Sequence, residues 1–447
     1  MKSEPADTDV VIVGGGFSGT MMAAQLCARG VRVMLVEGGG RAGQGTAYST
    51  RDAVHLLNVP AAKMSAWPDR PGDFVAAGHE AEAFAPRRDY GVYLRAILDR
   101  AVADGVELIE ATAVSAVRDG AWRVALDDGR TVNARALVLA QGNQPPEPMR
   151  LGAGVDGAQF VNNPWGHEAR AAIERAARDD GAVLILGTGL TMIDLVLSLD
   201  AAGHRGRIVA LSRRGQVPHS HASHDAAPID FEEVPQGNVV ALWRWLRQRS
   251  AAVGWRGAVD ALRPHAQVLW QGLSERELRR FLRHARPYWD VHRHRIAPQV
   301  AGQLDKMIGD GRLEVVAGRV GAMHDEGDHM AVEIAQRGNR PLTPLACGES
   351  PSPSRGEGFS AVFNCTGPLG AMGRTRDPLL RQMIDSGMVA VDRLGMGLAV
   401  DGDSLAGERV WALGPLTKGA FWEIVAVPDI REQVAQVADH IARELRA

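Results

Sequence analysis

The stretch VVIVGGGFSGTMMAAQL, Val10–Leu26, decides the fold. It opens with a short β-branched run of the kind that is buried in a parallel sheet. Gly14, Gly16 and Gly19 follow in the spacing GxGxxG and precede a helix-like apolar segment. The next apolar run, VRVMLVE, ends at Glu37. Strand, glycine turn, helix, and a second strand with an acid at its end are the order of a dinucleotide-binding βαβ unit.

Each position in this unit has a physical reason. Gly14 permits a tight turn, Gly16 lets a pyrophosphate approach the backbone, and Gly19 lets helix and strand pack closely. The helix N-terminus offers free N–H groups, and an acid accepts hydrogen bonds from ribose hydroxyls. A bare GxGxxG also occurs in plain glycine turns, but the complete unit predicts nucleotide binding. The predicted ligands are Gly14, Gly16, Phe17, Ser18, Gly19 and Glu37.

A second unit of the same order begins at Val183 with VLILGTGLTMIDLVLSL. Met192 occupies the place of the third glycine, which predicts a wider spacing between helix and strand. Its second strand, RIVALSRR, ends in Arg213 and Arg214 rather than in an acid. Arginines hold a 2′-phosphate and a carboxylate repels it, so NADP is favoured over NAD; the alternative is a solvated basic loop. The predicted ligands of NADP or NAD are Gly187, Gly189, Leu190, Thr191, Arg213 and Arg214.

Two unequal units suit two cofactors, one resident and one diffusible. We assign FAD to the first, because Glu37 suits an unphosphorylated ribose, and NADPH or NADH to the second. The predicted fold is α/β, with two Rossmann-type domains and an inserted, mainly helical subdomain at about 235–300. The FAD domain is discontinuous, with residues 1–160 and 355–447 flanking an NAD(P)H domain at 161–354. FSAVFNCTGP marks the return to the FAD domain, and the Pro/Ser/Gly-rich stretch from Pro341 is interpreted as a surface loop.

Composition narrows the class of protein. The chain has 447 residues, 45% hydrophobic and 23% charged, with a net charge of −3, so nothing favours a nucleic acid or membrane partner. No apolar run approaches the roughly 20 residues of a membrane span, and a cytoplasmic location is expected. Cys27, Cys347 and Cys365 form no CxxC pair, which argues against a dithiol relay. The sequence does not address the oligomeric state.

Several further motifs resemble a bacterial family of FAD/NAD(P)-binding flavoproteins. They are GQGTAYSTRDAVHLLNVPAAKMSAWP, FAPRRDYGVYL, FLRHARPYWDVHRHR, FNCTGP and FWEIVAVPDIREQ. The resemblance runs nearly end to end, and the family includes FAD-dependent urate hydroxylases and aspartate N-monooxygenases that form nitrosuccinate. It implies flavin contacts from Asn58, Met64 and Ser65, adenine contacts near Val114, and cofactor contacts from Gln141, Gly142 and Gly414. Pro415 follows Gly414 where such folds often carry an acid, and the helix near Asp429 is expected to point at the flavin.

The resemblance implies a monooxygenase that uses O2 through a C4a-hydroperoxyflavin. Urate, hydroxylated at C5 to 5-hydroxyisourate in purine degradation, is the first substrate hypothesis. N-hydroxylation of an aspartate-like amino acid is the alternative. A third hypothesis is an oxygen-independent NAD(P)H dehydrogenase or a redox-sensing flavoprotein. No catalytic residue is identified, because the flavin carries the oxidant.

Candidate substrate-positioning residues lie in QVPHSHASH and RHARPYWDVHRHR. They are His219, His221, Arg286, His292 and His294, with Arg293 as a further candidate anion partner. The spacing of His219, His221 and His224 does not match a metal site with its usual cysteine or carboxylate ligands, so no metal is expected. His292 and His294 are two residues apart and are predicted on different faces of a helix. A solvated basic face is the alternative for this segment.

Overall fold

The strands of the protein form two sheets. The computed structural model describes residues 6–149, 159–336 and 357–446. In chain order the strands are β1 (Thr8–Val13), β2 (Val33–Val36), β3 (Glu107–Ile109), β4 (Ala113–Asp119), β5 (Ala121–Leu126), β6 (Thr131–Leu139), β7 (Phe160–Val161), β8 (Val183–Leu186), β9 (Ile208–Ser212), β10 (Leu313–Asp325), β11 (Met330–Gln336), β12 (Glu357–Phe359), β13 (Ala361–Asn364), β14 (Leu405–Gly407) and β15 (Val410–Ala412).

Helices cover the faces of both sheets and build a separate subdomain. In chain order they are α1 (Phe17–Cys27), α2 (Gly45–Tyr48), α3 (Asp73–Ala76), α4 (Arg87–Ala103), α5 (His167–Asp179), α6 (Leu190–Ala201), α7 (Val239–Val253), α8 (Trp255–Leu262), α9 (Ala266–Gln271), α10 (Glu275–Arg280), α11 (Arg286–Arg293), α12 (Pro298–Gly309), α13 (Pro378–Asp385) and α14 (Val427–Arg446).

The first sheet has the order β14-β15-β6-β1-β2-β3, and the β4–β5 hairpin joins it through β5 and β6. β1 is central and runs parallel to β2 and β6, with Val13 opposite Val36 and Leu139. Helices α1, α4 and α14 pack on one face, over Val10 and Ile12, and a second apolar cluster that contains Val11 and Val13 covers the other face. Burial of both faces explains why the β1 run is apolar almost throughout. The carboxyl ends of β1, β2 and β6 therefore meet at one edge, where open α/β sheets bind ligands.

The second sheet has the order β12-β11-β10-β9-β8-β13-β7. β8 is parallel to β9 and to β13, with Leu186 opposite Leu211 and Asn364. Helix α6 contributes Met192, Val196 and other apolar residues to the core on one face. Both predicted βαβ units are thus confirmed, each in the parallel central part of its own mixed sheet.

The expected return to the first domain at 355 is wrong. FSAVFNCTGP contains β13, which pairs with β8 and β7 in the second sheet, so the chain rejoins the first sheet only after Asn364. A strand buried on both faces has the same apolar sequence in either parallel sheet, so its membership cannot be read from the sequence. The expected boundary at 160 agrees with β7 (Phe160–Val161) being the first strand of the second sheet.

The helical insert predicted at about 235–300 is confirmed by α7 to α11. Its core contains Trp270 and Trp289, with Trp243, Trp245 and Trp255 partly buried around it. Trp422, from the last part of the chain, stacks on Trp270 at a centroid distance of 4.6 Å and joins the insert to the first domain. The stretch predicted as a surface loop from Pro341 lies outside the described residues as far as residue 356. Among the described helices, none is both long enough and apolar enough to cross a bilayer.

Candidate cofactor and substrate sites

The first glycine turn forms a close-fitting backbone cradle between β1 and α1. Gly14 has φ +103°, and a Cβ built on it would lie 2.5 Å from the carbonyl oxygen of Ala140 at the end of β6. A Cβ on Gly19 would lie 1.8 Å from the carbonyl oxygen of Gly14. Gly16 is the N-cap of α1, with extended backbone and no side-chain cap. Free N–H groups of α1 are therefore left for an anion.

Glu37 lies at the end of β2, as predicted, and is tied to the same turn. Its Oε2 accepts from the Gly15 N–H at 2.6 Å and its Oε1 accepts from the Gly39 N–H at 2.8 Å. A carboxylate oxygen has a second lone pair, so both oxygens can still accept from a hydroxyl. The two backbone donors hold Glu37 in place for a ribose contact.

A cavity of about 720 Å³ opens above this edge of the first sheet. Its lining includes the predicted residues Gly14, Gly16, Phe17, Ser18, Glu37, Gln141, Gly142 and Thr191. Both polar atoms of the Gln141 side chain are buried and have no partner in the described protein. Buried polar groups are normally paired, so this side chain fits a bound polar ligand. The glycine cradle, Glu37 and Gln141 are together compatible with a dinucleotide.

Other lining residues were not found from the sequence. They include Arg41, Gln44, Tyr48, Arg87, Thr112 and Trp165. Arg41, Gln44 and Tyr48 belong to the segment that follows Glu37. The glycine content of this segment is the feature from which a contact with the cavity could have been predicted. Arg87, Thr112 and Trp165 carry no local pattern, because they reach the cavity only through folding. Burial raises the pKa of Tyr48 to about 12, so its hydroxyl is a neutral donor at physiological pH.

Asn58, Met64, Ser65, Val114 and Gly414 do not line the cavity, and their assignment to the flavin stays a prediction. Ser65 Oγ donates to Arg70 O at 2.6 Å, and the Asn58 carbonyl is close to His221 Nε2 at 2.9 Å. Val114 adjoins the lining residue Ala113. Gly414 has φ +59°, and its N–H donates to a buried Gln433 Oε1 at 2.8 Å.

The C-terminal helix begins slightly earlier than expected and faces this cavity. α14 starts at Val427, and Val427 and Ile430 line the cavity together with Pro415. The N-terminal end of α14 is the positive end of a 20-residue helix dipole. The expected helix terminus near the cofactor cavity is therefore present.

The second glycine turn repeats the geometry of the first. Gly187 has φ +111°, and a Cβ on it would lie 2.2 Å from the carbonyl oxygen of Cys365 at the end of β13. Gly189 caps α6 with φ −87° and ψ −165°, compared with −74° and −163° at Gly16. Ala140 and Cys365 are each followed two residues later by a glycine of positive φ. The molecule thus holds two equivalent cradles, one at each sheet.

The basic end of β9 lies beside the second cradle. Thr188 Oγ1 donates to Ser212 Oγ at 2.9 Å, which holds the turn against the strand end. Arg213 is exposed, and within the described ranges its side chain has no hydrogen bond or ion pair. Arg214 lies over the Tyr288 ring with 5.6 Å from Cζ to the centroid. Met192, in place of the third glycine, is fully buried.

A second cavity of about 1480 Å³ adjoins the first and lies between the two domains. Arg41, Gln44, Trp165 and Thr191 line both cavities. Thr191 is in the first turn of α6, so the second cradle and the first cavity meet at this helix. Helix α6, which follows the second cradle, therefore borders both cavities.

The candidate substrate-positioning residues, which are histidines and arginines, form two groups. His219 and His292 lie 4.6 Å apart by ring centroids, and each is about 5 Å from the Trp255 ring, with distances of 5.0 and 4.8 Å. Partial burial and the nearby His292, Arg256 and Arg295 lower the pKa of His219. His221 packs on Phe84, and burial lowers the pKa of His221 as well.

Arg286, Arg293 and His294 belong to the second group. Arg293 Nε donates to Glu423 Oε2 at 2.8 Å in a buried pair, and Arg286 Nε donates to Asp290 Oδ2 at 3.2 Å. His294 Nδ1 lies 3.9 Å from Asp290 Oδ1. Burial raises the pKa of Asp290 and lowers the pKa of His294. His292 and His294 thus have different surroundings, and His294 is the C-cap residue of α11 rather than part of the helix.

His224 belongs to neither group, since its Nε2 pairs with Asp260 Oδ2 at 3.0 Å. Across residues 6–149, 159–336 and 357–446, no three histidine, cysteine or carboxylate side chains lie close enough together to hold a metal ion.

Residues 11–144 match a protein family described as FAD-NAD(P)-binding. No curated protein matches the chain in sequence. The matched segment runs from within β1 to just past the end of β6, so the similarity to this family covers the first cradle and much of the lining of the first cavity.

Solved structures share the fold over nearly the whole chain. Ornithine hydroxylase from Pseudomonas aeruginosa is 15% identical with a TM-score of 0.62, covering 98% of this chain and 99% of that one. Ornithine N-hydroxylase from Kutzneria sp. 744, in complex with reduced FAD, NADP+ and L-ornithine, is 18% identical with a TM-score of 0.64, covering 98% and 100%. Bacillithiol disulfide reductase from Staphylococcus aureus is 13% identical with a TM-score of 0.59, covering 98% and 99%. At these identities the likeness shows the fold.

Proposed function

We propose that the protein is an FAD-dependent NAD(P)H monooxygenase. The observation that carries the proposal is the pair of equivalent glycine cradles on two sheets, with adjoining cavities between them. One cradle has an acid at its strand end and the other has an unpaired arginine, so the two sites suit different dinucleotides. When bound, FAD would supply the redox chemistry: it would take a hydride from NAD(P)H and pass the two electrons to O2, so that one oxygen atom is inserted into the substrate and the other is released as water.

The residues of the first site bind and orient the resident cofactor. The N–H groups at the start of α1 receive the pyrophosphate beside Gly16, and Glu37 accepts from the adenosine ribose. Gln141 supplies a donor and an acceptor to the part of the cofactor that crosses the end of β6. The N-terminal end of α14, the positive end of its dipole, would favour a negatively charged form of a flavin held in this cavity.

The residues of the second site bind the electron donor. Gly189 and Thr191 stand at the N-terminus of α6, where the pyrophosphate of NAD(P)H is held. Arg213 accounts for a preference for NADPH, since its guanidinium is free to form a bidentate contact with a 2′-phosphate. NADH remains a weaker donor in this proposal.

For the substrate we propose urate, hydroxylated at C5 to 5-hydroxyisourate. The support is the resemblance of the motifs and the group formed by His219, His292 and Trp255, with Arg256 over the Trp255 ring at 4.3 Å. An aromatic surface with adjacent cations suits a planar anion, and the cations favour the deprotonated, electron-rich form of urate.

N-hydroxylation of an amino acid is the second candidate. The fold similarity to two ornithine hydroxylases favours it. An amino acid requires a cation for its carboxylate and a neutral amine as the nucleophile. The group containing Arg286, Asp290 and His294 offers the cation, Arg286, and side chains that can accept a proton from the amine, Asp290 or His294.

One set of assays tests these proposals. We would record the flavin spectrum of the purified protein and follow NADPH and NADH oxidation in air with urate, aspartate, ornithine or no substrate. Urate loss equal to cofactor oxidation supports the first substrate, and hydroxylated amino acid supports the second. Hydrogen peroxide release without substrate loss, or turnover only with an artificial electron acceptor, contradicts the monooxygenase.

A further inference from the structure

Helix α6 presents a polar face to the first domain although most of its residues are apolar. Asp194 and Ser198 are only 5% and 7% exposed. With Thr191 and Leu195 they follow a spacing of three and four residues, so they share one side of the helix. A buried carboxylate in such a helix is costly unless it is paired.

The partner of Asp194 comes from the first domain. Arg87, the first residue of α4, places Nη1 2.8 Å from Asp194 Oδ2, with side-chain exposures of 13% and 7%. Arg87 Nε also donates to the Leu56 carbonyl at 3.1 Å, which fixes the guanidinium on its own domain. The ion pair therefore joins the two domains at a site with little water.

A second contact between the domains lies beside this pair. The buried His55 has Nε2 2.8 Å from Ser198 Oγ and 3.0 Å from the Asp194 carbonyl oxygen. Ser198 Oγ donates to Asp52 Oδ2 at 2.9 Å, so its lone pair is left to accept from the Nε2–H of His55. Thr50 Oγ1 lies 2.8 Å from the other ring nitrogen. Loop 50–55 is thus held to α6 through defined hydrogen bonds.

This interdomain contact lies where the two nucleotide sites meet. Arg87 and Thr191 both line the first cavity, and Thr191 belongs to the N-terminal turn that follows the second cradle. Asp194 lies in α6, which begins directly after the second cradle, and burial together with the charge of Asp194 raises the pKa of the Cys365 thiol. Any rotation of α6 at this contact changes the distance between the two sites.

We infer that Arg87 and Asp194 are positioning residues that set the approach of the pyridine nucleotide to the flavin. The inference rests on the proposed function, since it assigns FAD to one site and NAD(P)H to the other. Buried ion pairs contribute little net stability, but they define geometry, because breaking one leaves a buried charge without a partner. Domains in one chain move relative to each other unless their interface prevents it.

The test compares Asp194→Asn and Arg87→Met with Arg95→Met. Arg95 is on α4 as well, but its pair with Asp99 is exposed, so its loss controls for the substitution itself. Flavin reduction by NADPH is followed anaerobically at saturating NADPH. We expect the reduction rate of the first two variants to fall about 10-fold to 100-fold, as for a displacement near 1 Å. Flavin content, the half-saturating NADPH concentration and reoxidation of dithionite-reduced enzyme should stay near wild type in Asp194→Asn, whose position does not line the first cavity, as should every property of Arg95→Met.

Amide hydrogen exchange gives a readout that requires no turnover. In both variants we expect faster exchange in residues 50–56 and 190–198, and unchanged exchange in β1 and β8. Wild-type exchange and a wild-type reduction rate in Asp194→Asn would overturn the inference. If neither NADPH nor NADH reduces the wild-type flavin, the proposed function fails, while the exchange result still decides whether the pair fixes the domains.

A double variant covers the case in which a single variant does not fold. Arg87→Met with Asp194→Leu replaces the pair by apolar side chains and leaves no buried charge, so stability should return. If the ion pair determines how the pyridine nucleotide approaches the flavin, the rate of flavin reduction by NADPH should stay low in the double variant even though its stability has returned. A stable double variant with a wild-type rate would show that the pair serves stability alone.

Discussion

Replacing Gly16 with alanine should weaken flavin binding and leave the protein folded. Gly16 has φ −74° and ψ −163°, which alanine also adopts. A Cβ there would lie 3.6 Å from its nearest protein neighbour, the Cα of Gly45, at ordinary contact distance. The loss of stability is limited to about 1 kcal/mol, the usual cost of alanine at an N-cap.

The effect on FAD is larger because the methyl group enters the cradle. Gly16 lines the first cavity, so the methyl group holds the phosphate away from the N–H groups of α1. Hydrogen bonds to a charged group contribute about 1.5–3 kcal/mol each. Loss of one such bond weakens FAD binding by between about 10-fold and about 100-fold.

The assay titrates apo-protein with FAD and follows quenching of flavin fluorescence, with thermal unfolding measured in parallel. Gly189→Ala is the matched variant: a Cβ there meets nothing within 4 Å, and we expect normal FAD binding with a comparable loss of NADPH affinity. Gly30→Ala is the control, because its φ of +75° predicts lower stability with neither affinity changed. Wild-type FAD affinity in Gly16→Ala, or loss of flavin in Gly189→Ala, would refute the assignment of the two cradles.

Three further changes test the charges around the sites. Arg213→Ala should raise the KM for NADPH about 10-fold, the loss of one charge-assisted contact, with the KM for NADH almost unchanged; equal effects in initial-rate assays would argue against a 2′-phosphate contact. Glu37→Gln replaces an acceptor of the Gly15 or Gly39 N–H by an amide donor, so FAD should bind about 10-fold more weakly in the same titration; an unchanged dissociation constant would contradict this. Burial raises the pKa of Asp260, but hydrogen bonds and charge from Arg295 hold it below its usual value overall. A lowered folded pKa stabilises the protein above the unfolded value of about 4 and loses that contribution as the pH falls through the folded pKa. Asp260→Asn should therefore be less stable than wild type in urea at pH 7, and the difference should shrink progressively as the pH falls below about 4; a difference that stays constant from pH 7 to pH 3 would contradict the assignment.

Several features of the candidate sites were predictable from short segments. Gly14 and Gly187 were identified from glycine spacing after an apolar strand, because φ values of +103° and +111° exclude other residues. Glu37 and Arg213 could be predicted at the ends of their strands, because the extent of an apolar strand determines which residue follows it. The helical insert was predictable as well, because the helical spacing of its apolar residues is a local property of the sequence.

The membership of β13 and the lining of the cavities could not be predicted in this way. FSAVFNCTGP has the composition of any buried parallel strand, and only its pairing with β8 places Cys365 against Gly187. His292 and His294 are only two residues apart in the sequence, yet one lies against His219 and the other near Asp290. Which neighbours they meet depends on the packing of the helical insert against the rest of the chain.

The sequence by itself determined the two βαβ units, the position of each glycine turn, and the contrasting charges of Glu37 and Arg213, because backbone conformation and strand ends are local properties. The tertiary structure alone decided that Arg87 meets Asp194 and that His55 meets Ser198, 143 positions away. Such contacts join residues from different domains, and apolar packing fixes the orientation of those domains only when the whole chain has folded. The orientation of the two nucleotide sites is therefore a property of the assembled interface, held by a charge pair that no local pattern marks.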